Sequence, residues 1–251
     1  MRPALLVDIE TVFDAALWQR GRPEAALPRD ERSLPKPLYH QVVAVAVCHL
    51  GPDGSVAQFK FWTGERETEV LGRFWEGFER LYAAAPALRL VTFNGRRFDL
   101  PVLVQRALYR AIRPSWWWQS PYRMRYREDH LDLMDFLSDY GATVAMSQHE
   151  LAVLLGVPGK LGVDGQAVQG LWESGQHELV AAYCACDVAT LTASFARLGV
   201  LTGWCHPEEA LRIETGLTEA LRQQADHQPL LQAWLEQAKA QAASPEAGEG
   251  A

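Results

Sequence analysis

Three short segments, far apart in the chain, carry acidic side chains at spacings that could hold divalent cations. The segments are Asp8-Ile9-Glu10, residues 94–99 and residues 183–187. Asp8 and Glu10 are two residues apart, so in a strand both side chains point to the same face. Hard carboxylate oxygens directed together suit Mg²⁺ or Mn²⁺ better than zinc. Taken together, the segments predict metal-dependent cleavage of phosphodiester bonds.

Each segment also has a structural explanation when it is considered alone. The Asp8 pair fits a solvated strand end, because strand ends are commonly polar. Asp99 follows the turn signal Asn94-Gly95 and would be a good cap for a helix that begins there. Tyr183 and Asp187 are four residues apart and share a face of a helix, which also fits an exposed aspartate beside a packed tyrosine. The hypothesis of one site therefore depends on the elements that bring the segments together.

The elements that would position these segments follow the order β-β-β-α-β-α-β-α-α. Apolar and β-branched runs predict strands at residues 3–10, 42–50, 56–63, 88–93 and 130–134. Helical spacing of apolar side chains predicts helices at residues 67–83, 100–112, 147–155, 178–198 and 207–240. Residues 21–37 are rich in proline and charge and predict a long loop. This order is typical of an α/β architecture in which helices flank a mixed sheet.

The charge of the chain restricts how it could bind nucleic acid. A formal net charge of −7 argues against binding by bulk charge alone. Residues 100–127 nevertheless contain no Asp or Glu, and arginines are interleaved there with Trp and Tyr. Such a stretch could grip a single strand by phosphate contacts and base stacking, and it also fits a surface loop with packed aromatic side chains. The candidate substrate-binding residues are Thr11, Asn94, Arg96, Arg97, Arg123, Arg125 and Arg127.

The bulk composition favours a cytoplasmic protein without membrane association. No apolar stretch approaches the roughly 20 residues needed to span a bilayer. A carboxylate at Asp8 comes too early for a signal peptide. The cysteines are too few for a disulfide scaffold in a chain of 251 residues, and we expect buried, inert thiols.

The three acidic segments resemble the ExoI, ExoII and ExoIII motifs of the DEDD 3′–5′ exonucleases. Asp8-Ile9-Glu10 matches the first motif, Asn94-x-x-x-Phe98-Asp99 the second and Tyr183-x-x-x-Asp187 the third. The tyrosine marks the DEDDy branch, because the histidine form would have His where Ala182 stands. Residues 37–43 and 127–135 also resemble a bacterial group of predicted exonucleases related to the proofreading domain of B-family DNA polymerases.

The resemblance covers about residues 1–205 and implies an RNase H-like fold for that exonuclease domain. We expect residues 206–241 to form a helical C-terminal extension of the same domain. Residues 242–251 are small and polar, which predicts a disordered tail. The sequence shows no polymerase module, so a proofreading role would need a DNA polymerase or repair factor in trans.

The resemblance also implies the roles of the acidic residues. Asp8, Glu10 and Asp187 would hold one of two divalent cations, Mg²⁺ or Mn²⁺, and Asp8 would bridge to the second. Asp99 would support the second cation, and Tyr183 would orient the attacking water. The implied activity is 3′–5′ hydrolysis, preferentially of single-stranded DNA, with release of nucleoside 5′-monophosphates. The alternatives are an RNA 3′-end processing enzyme and a catalytically silent nucleic-acid-binding module.

Overall fold

The computed structural model describes residues 1–22, 36–159 and 167–243, without the side chains of residues 115 and 116. Within these ranges the strands are β1 (Ala4–Phe13), β2 (His40–Leu50), β3 (Val56–Thr63), β4 (Arg89–Thr92) and β5 (His130–Asp132). The helices are α1 (Ala15–Gly21), α2 (Glu67–Ala84), α3 (Asp99–Tyr109), α4 (Leu133–Leu137), α5 (Gln148–Leu155), α6 (Val168–Glu173), α7 (His177–Thr202), α8 (Pro207–Arg222) and α9 (Pro229–Ala242). Most of the predicted loop at 21–37 and most of the predicted tail at 242–251 lie outside the described residues.

The strands form one mixed sheet in the order β3-β2-β1-β4-β5. The first three strands of the chain are antiparallel neighbours, whereas β4 and β5 run parallel to β1. The hairpin of β2 and β3 closes through a hydrogen bond from the Gly51 N–H to the Ser55 carbonyl oxygen at 2.8 Å. Gly54 has a φ of +84° in this turn, a conformation that glycine adopts without steric cost. The mixed α/β architecture expected from the order of elements is confirmed.

Strand β1 is the central strand, and its two faces contact different hydrophobic cores. Leu6 packs in a core with α7, α8 and α9, while Leu5 and Val7 pack in a core with α2 and α3. Because side chains alternate along a strand, Asp8 and Glu10 project toward the α7 side. A register shift between Glu10 and Thr11 ends this regular alternation just after the two carboxylates.

Helix α7 is the longest helix in the described ranges and is buried on most of its surface. It is long and apolar enough to cross a membrane by length and composition, which differs from the expectation drawn from apolar runs. Its most apolar window is 89% buried inside the molecule. The apolarity is therefore explained by packing against the sheet and against α8 and α9, which contribute Ile213, Leu217 and Trp234 to the same core.

Several helices differ from the sequence expectations for local reasons. The short helices α1, α4 and α6 are not predicted from periodicity, because seven residues or fewer give little helical pattern. Asp14 starts α1 by accepting a hydrogen bond from the Leu17 N–H at 2.9 Å. The single helix predicted at 207–240 is two helices, with His227 at a φ of +65° between them. Helix α5, which is predicted, begins with a capping box formed by Ser147 and Glu150.

A buried ionic cluster joins α2, α3 and the start of α1, and it corrects part of the interpretation of residues 100–127. The Arg106 side chain has no solvent exposure, and it donates hydrogen bonds to Glu67, to Asp14 and to the Leu38 carbonyl oxygen. Arg110 adds an ion pair to Glu67 at 2.7 Å. These arginines therefore stabilise the fold, and the stretch is not one continuous nucleic-acid surface.

Candidate active site

Strand β1 and helix α7 bring the first and third acidic segments together. The Cys184 thiol lies 3.4 Å from the Asp8 backbone carbonyl oxygen and 3.7 Å from Asp8 Oδ2, which fixes the helix directly over the strand. Single donor atoms of Asp8, Glu10 and Cys184 all lie within 4.8 Å of one another. Asp187 is close enough for its charge to raise the pKa of Asp8.

Asp99 reaches the same site from the other side of β1. Strand β4 ends at Thr92, whereas β1 continues, so the Ile9 N–H lies beyond the last residue pairing between β1 and β4. The Asp99 carboxylate accepts a hydrogen bond from this Ile9 N–H. Asp99 is the first residue of α3, and no side chain caps that helix, so the predicted capping role is not the one it has. The structure thus assembles Asp8, Glu10, Asp99 and Asp187.

The electrostatics show that these carboxylates repel one another. Burial raises the pKa of Asp8 well above its usual range, and the charges of Asp99, Glu10 and Asp187 raise it further. Burial also raises the pKa of Asp99 to about 7, with added repulsion from Asp132 and Asp187. Among the described residues, no Lys, Arg or His forms an ion pair with Asp8 or Asp99. In the part of the chain that the structure describes, Asp8 and Asp99 therefore lie among like charges with no basic side chain paired to them.

This donor set fits a hard divalent cation. Carboxylate oxygens are the preferred ligands of Mg²⁺ and Mn²⁺, and such a cation would remove the repulsion that raises the pKa of Asp8. Cys184 offers a soft sulfur atom, which suits Mg²⁺ and Mn²⁺ less well than carboxylate oxygens do. Without a cation, burial and the charge of Asp8 raise the pKa of its thiol well above the usual value. The protonated thiol instead donates a weak hydrogen bond to Asp8.

Tyr183 lies on the same turn of α7 as Asp187 and is 4% exposed. Burial raises the pKa of its hydroxyl far above 10, and the charges of Asp187 and Glu10, together with a hydrogen bond to Asp187, raise it further. The hydroxyl is therefore a fixed hydrogen-bond donor and is unsuited to act as a base. Gln148 supports this part of the helix by donating to the Asp187 carbonyl oxygen at 2.7 Å.

Asp132, at the end of β5, holds the turn that leads to Asp99. Its carboxylate accepts hydrogen bonds from the backbone N–H groups of Asn94 at 2.9 Å and of Arg96 at 2.7 Å. It also caps α4 through the Met134 N–H. At the start of the same strand, His130 Nε2 lies 2.9 Å from the hydroxyl of Thr92, the last residue of β4.

The candidate substrate-binding residues near the carboxylates differ in the contacts and the exposure of their side chains. Thr11 is half-buried and its hydroxyl lies 3.2 Å from His40 Nδ1, while Asn94 forms the turn with a φ of +61°. Arg96 turns inward, because its guanidinium donates to the His130 carbonyl oxygen and pairs with Asp135. Arg97 is exposed at the rim, two residues before Asp99. Of these two arginines, Arg97 is therefore the one whose side chain is exposed.

The other three arginines lie beside β5 and have partners within the protein. Arg123 stacks over Trp118 at 5.1 Å, and Arg127 pairs with Asp129 at 2.8 Å. Arg125 donates to Asp135 and to the Tyr140 carbonyl oxygen, both at 3.2 Å. The Arg127 pair precedes β5, at the end of that strand opposite to Asp132, so these arginines do not converge on the carboxylates.

Two residues of the site region were missed from the sequence, Cys184 and Gln148. Cys184 could have been found, because it directly follows Tyr183 on the helix that carries the third acidic segment. Gln148 carried none, because its contact with Asp187 joins two helices through a side chain of ordinary type. A cavity of about 300 Å³ between α2 and the sheet, lined by Leu5, Val47 and Phe78, lies on the opposite face and has no part in the site.

Comparison with known families gives one match of sequence. The family model described as a predicted 3′–5′ exonuclease related to the exonuclease domain of PolB matches residues 33–238. The matched range contains Asp99, Tyr183 and Asp187, and the structure adds Asp8 and Glu10 from β1. No curated protein matches the chain.

Solved structures provide a comparison of fold. The family B DNA polymerase of Pyrobaculum calidifontis aligns with a TM-score of 0.56 and 18% identity, over 90% of this chain and 29% of the polymerase chain. E. coli exonuclease I in its zinc-bound complex with single-stranded DNA aligns with a TM-score of 0.41 and 14% identity, over 84% and 42% of the two chains. The chain thus spans less than half the length of either protein.

Proposed function

The chain belongs to the family of predicted 3′–5′ exonucleases related to the exonuclease domain of PolB, and we propose that it removes nucleotides from the 3′ ends of single-stranded DNA. Enzymes of this family are hydrolases acting on phosphodiester bonds, and the fold is the RNase H-like α/β fold. The products would be nucleoside 5′-monophosphates. The observation that carries the proposal is the cluster of four carboxylates drawn from three segments, in which no described Lys, Arg or His pairs with Asp8 or Asp99.

In the proposed site, Asp8, Glu10 and Asp187 would hold one divalent cation, and Asp8 and Asp99 would help to hold a second. Mg²⁺ and Mn²⁺ are the proposed ions, since every proposed ligand is a carboxylate oxygen. When bound, such a pair lowers the pKa of water and stabilises charge on the attacking and leaving oxygens. The chain itself contributes the rigid backbone of β1, which fixes the Asp8 and Glu10 side chains on one face.

Tyr183 is proposed to orient the water or the scissile phosphate, as in the DEDDy branch. Its raised pKa keeps the hydroxyl protonated, and its hydrogen bond to Asp187 fixes its direction. At the rim, Thr11, Asn94 and Arg97 are proposed contacts for the terminal nucleotides. Arg96 is proposed to act indirectly, by holding the turn through Asp135.

DNA is proposed over RNA because the matching family is described as related to the exonuclease domain of PolB, a DNA polymerase. A protein distinguishes the two through contacts to the 2′-OH, which makes this preference directly measurable. We further propose that the protein acts in the cytoplasm. Any proofreading would be carried out with a DNA polymerase or repair factor in trans.

The test uses oligonucleotides labelled at the 3′ or the 5′ end, incubated with Mg²⁺ or Mn²⁺. We expect release of labelled mononucleotide from the 3′ end and a ladder from the 5′ label. Asp8→Asn should abolish both, whereas Glu76→Gln, which changes an exposed carboxylate on α2, should change neither. Parallel reactions on single-stranded DNA, duplex DNA and RNA identify the substrate, and faster degradation of RNA would overturn the DNA assignment.

A catalytically silent module is the outcome to be separated from a failed preparation. Calorimetric titration with Mn²⁺ makes this distinction, because the four carboxylates should bind the cation whether or not a substrate is supplied. Cation binding that is lost in Asp8→Asn, together with 3′ release, supports the proposal. If a folded protein shows neither cation binding nor 3′ release, the proposal is wrong.

A further inference from the structure

An exposed pair of aromatic side chains lies beside β5, outside both hydrophobic cores. Tyr126 is 76% exposed and Tyr140 is 39% exposed. Their rings meet edge to face, with centroids 5.2 Å apart and an interplanar angle of 67°. We refer to Tyr126 and Tyr140 as the tyrosine pair. An edge contact at this exposure buries little apolar surface, so packing alone does not account for it.

The backbone that carries Tyr140 is strained. Asp139, Tyr140 and Gly141 follow one another with φ values of +48°, +56° and +93°. The left-handed region is unfavourable for residues with a side chain, and two successive ones cost on the order of 1–3 kcal/mol each. Such strain persists where the surroundings enforce it, and it concentrates at ligand sites. Here it directs Tyr140 toward Tyr126.

A continuous set of contacts fixes the tyrosine pair to the turn that leads to Asp99. Arg125 Nη2 binds the Tyr140 carbonyl oxygen and Asp135 Oδ1, both at 3.2 Å. Asp135 Oδ2 lies 3.4 Å from Nε of Arg96, whose backbone N–H is held by Asp132 at 2.7 Å. Two ion pairs and one backbone hydrogen bond therefore connect the pair to the turn.

We propose that the tyrosine pair is a base-stacking platform for the single strand whose 3′ end enters the site, an inference that rests on the proposed function. Every base presents a flat face to an aromatic ring, so stacking is independent of sequence. Arg125 and Arg127, whose side chains are 45% and 56% exposed, flank Tyr126 in the chain and supply positive charge for the phosphates. Arg125 is then a positioning residue for Tyr140 more than a phosphate contact.

The first experiment measures binding without cleavage. Anisotropy of a fluorescein-labelled oligo(dT) is followed in EDTA, where the proposed hydrolysis cannot proceed. Tyr126→Ala should weaken binding about five- to hundred-fold, whereas Tyr126→Phe should bind within about twofold of the parent. Leu211→Ala removes another large, exposed side chain, which lies on α8 and is 65% exposed, and serves as the control. Tyr126 is so exposed that its loss should leave the folding of the protein intact.

The decisive experiment places single abasic sites along the oligonucleotide. At one or two positions an abasic site should weaken binding to the parent protein and leave binding to Tyr126→Ala unchanged, because the stacked base is already lost. Equal losses in both proteins at every position would overturn the platform. Because cleavage plays no part, this result is separable from the proposed function: 3′ release without such coupling refutes the platform alone, and coupling without 3′ release refutes the exonuclease alone.

Discussion

Two clusters of carboxylates lie along β1 and the segment that follows it, and they differ in their ion pairing. The first, which we call the site cluster, consists of Asp8, Glu10, Asp99 and Asp187. The second, the Arg106 cluster, pairs Glu67 and Asp14 with Arg106. Both clusters join elements distant in sequence, and both contain a fully or largely buried acid. They differ in ion pairing: Arg106 pairs with Glu67 and Asp14, whereas no basic side chain in the described ranges pairs with Asp8 or Asp99.

In the Arg106 cluster every strong charge has a partner. The guanidinium donates to both oxygens of Glu67, to Asp14 and to the Leu38 carbonyl oxygen, and Glu67 also accepts the Val42 N–H at 2.9 Å. Burial acts to lower the pKa of Arg106, but the hydrogen bonds and charges of Glu67 and Asp14 outweigh it and raise that pKa. A cluster of this kind stabilises one arrangement of α2, α3 and α1.

In the site cluster, by contrast, the carboxylates repel one another. The raised pKa values of Asp8 and Asp99 mean that the fold holds these groups where ionisation is unfavourable. Proteins tolerate such local conflicts mainly at functional sites, where another component resolves them. The contrast between the clusters therefore identifies the site more clearly than burial or residue type does. Four predictions test this contrast between the clusters.

The largest expected effect comes from Asp8→Asn, which removes the central charge of the site cluster. Activity in Mg²⁺ should fall about a thousand-fold or more, because a metal ligand contributes several kcal/mol to catalysis. The metal-free protein should become more stable by about 1 kcal/mol, because repulsion is relieved. Chemical denaturation in EDTA measures the second effect. A stability loss with Asp8→Asn would mean that the cluster is not frustrated.

The converse substitution, Arg106→Met, should remove the ion pair of Asp14 and leave Glu67 paired with Arg110 alone. Removing one member of a buried ion pair costs about 3–5 kcal/mol of unfolding free energy. Urea denaturation measures it, and Arg110→Met, at a side chain 31% exposed, is the milder matched control. Activity per folded molecule should stay within about twofold. The double variant Glu67→Gln, Arg106→Met should recover part of the loss, and if it does not, the pairing is not the stabilising feature.

The sequence predicts those parts of the two clusters that depend on local geometry, and it does not predict the parts that depend on long-range contacts. Alternation along β1 predicts that Asp8 and Glu10 share a face, and helical spacing predicts that Tyr183 and Asp187 share another. Both follow from local geometry, and the strand and helix boundaries mostly follow from apolar periodicity. The RNase H-like topology came from resemblance, because it requires knowledge of which strands pair.

The remainder could not be predicted because it depends on long-range partners. Arg106 falls in a stretch that looks like a basic surface, and only the fold brings Glu67 and Asp14 to it. Arg96 likewise turns inward because Asp135 is there to receive it. Cys184 faces Asp8 because of the way α7 is rotated about its axis. The sequence does not reveal that rotation, because α7 is buried on most of its surface and its sequence is apolar on most sides.

A third prediction concerns pH in the absence of metal. The carboxyl groups of Asp8 and Asp99 have pKa values raised in the folded state, to about 7 for Asp99, against 3.8 for the unfolded chain. Between pH 4 and 7 the unfolded chain releases these protons while the folded protein keeps them. Their contribution to stability is therefore fully present below pH 4 and is lost as the pH rises, by up to about 1.4 kcal/mol per unit for each group.

Thermal unfolding in EDTA across this pH range measures the slope. Asp99→Asn should flatten it, which separates these groups from the other carboxylates of the chain. Saturating Mn²⁺ should raise the melting temperature most at neutral pH, because the cation binds the ionised carboxylates. An identical slope in the parent protein and in Asp99→Asn would show that the site cluster does not retain protons.

The smallest effect is expected at Cys184, whose role is to donate to Asp8. With its pKa raised, the thiol is protonated, so Cys184→Ala removes only a weak hydrogen bond at 3.7 Å. Activity should fall less than about fivefold, and Cys184→Ser should recover it by restoring a donor. A thiolate ligand would behave differently: Cys184→Ala would lose cation affinity strongly, and Cd²⁺, a softer ion, would bind the parent protein more tightly than Mn²⁺. Calorimetry with both ions decides between a site made of carboxylates alone and one completed by sulfur, and the protonated thiol over β1 favours the carboxylates.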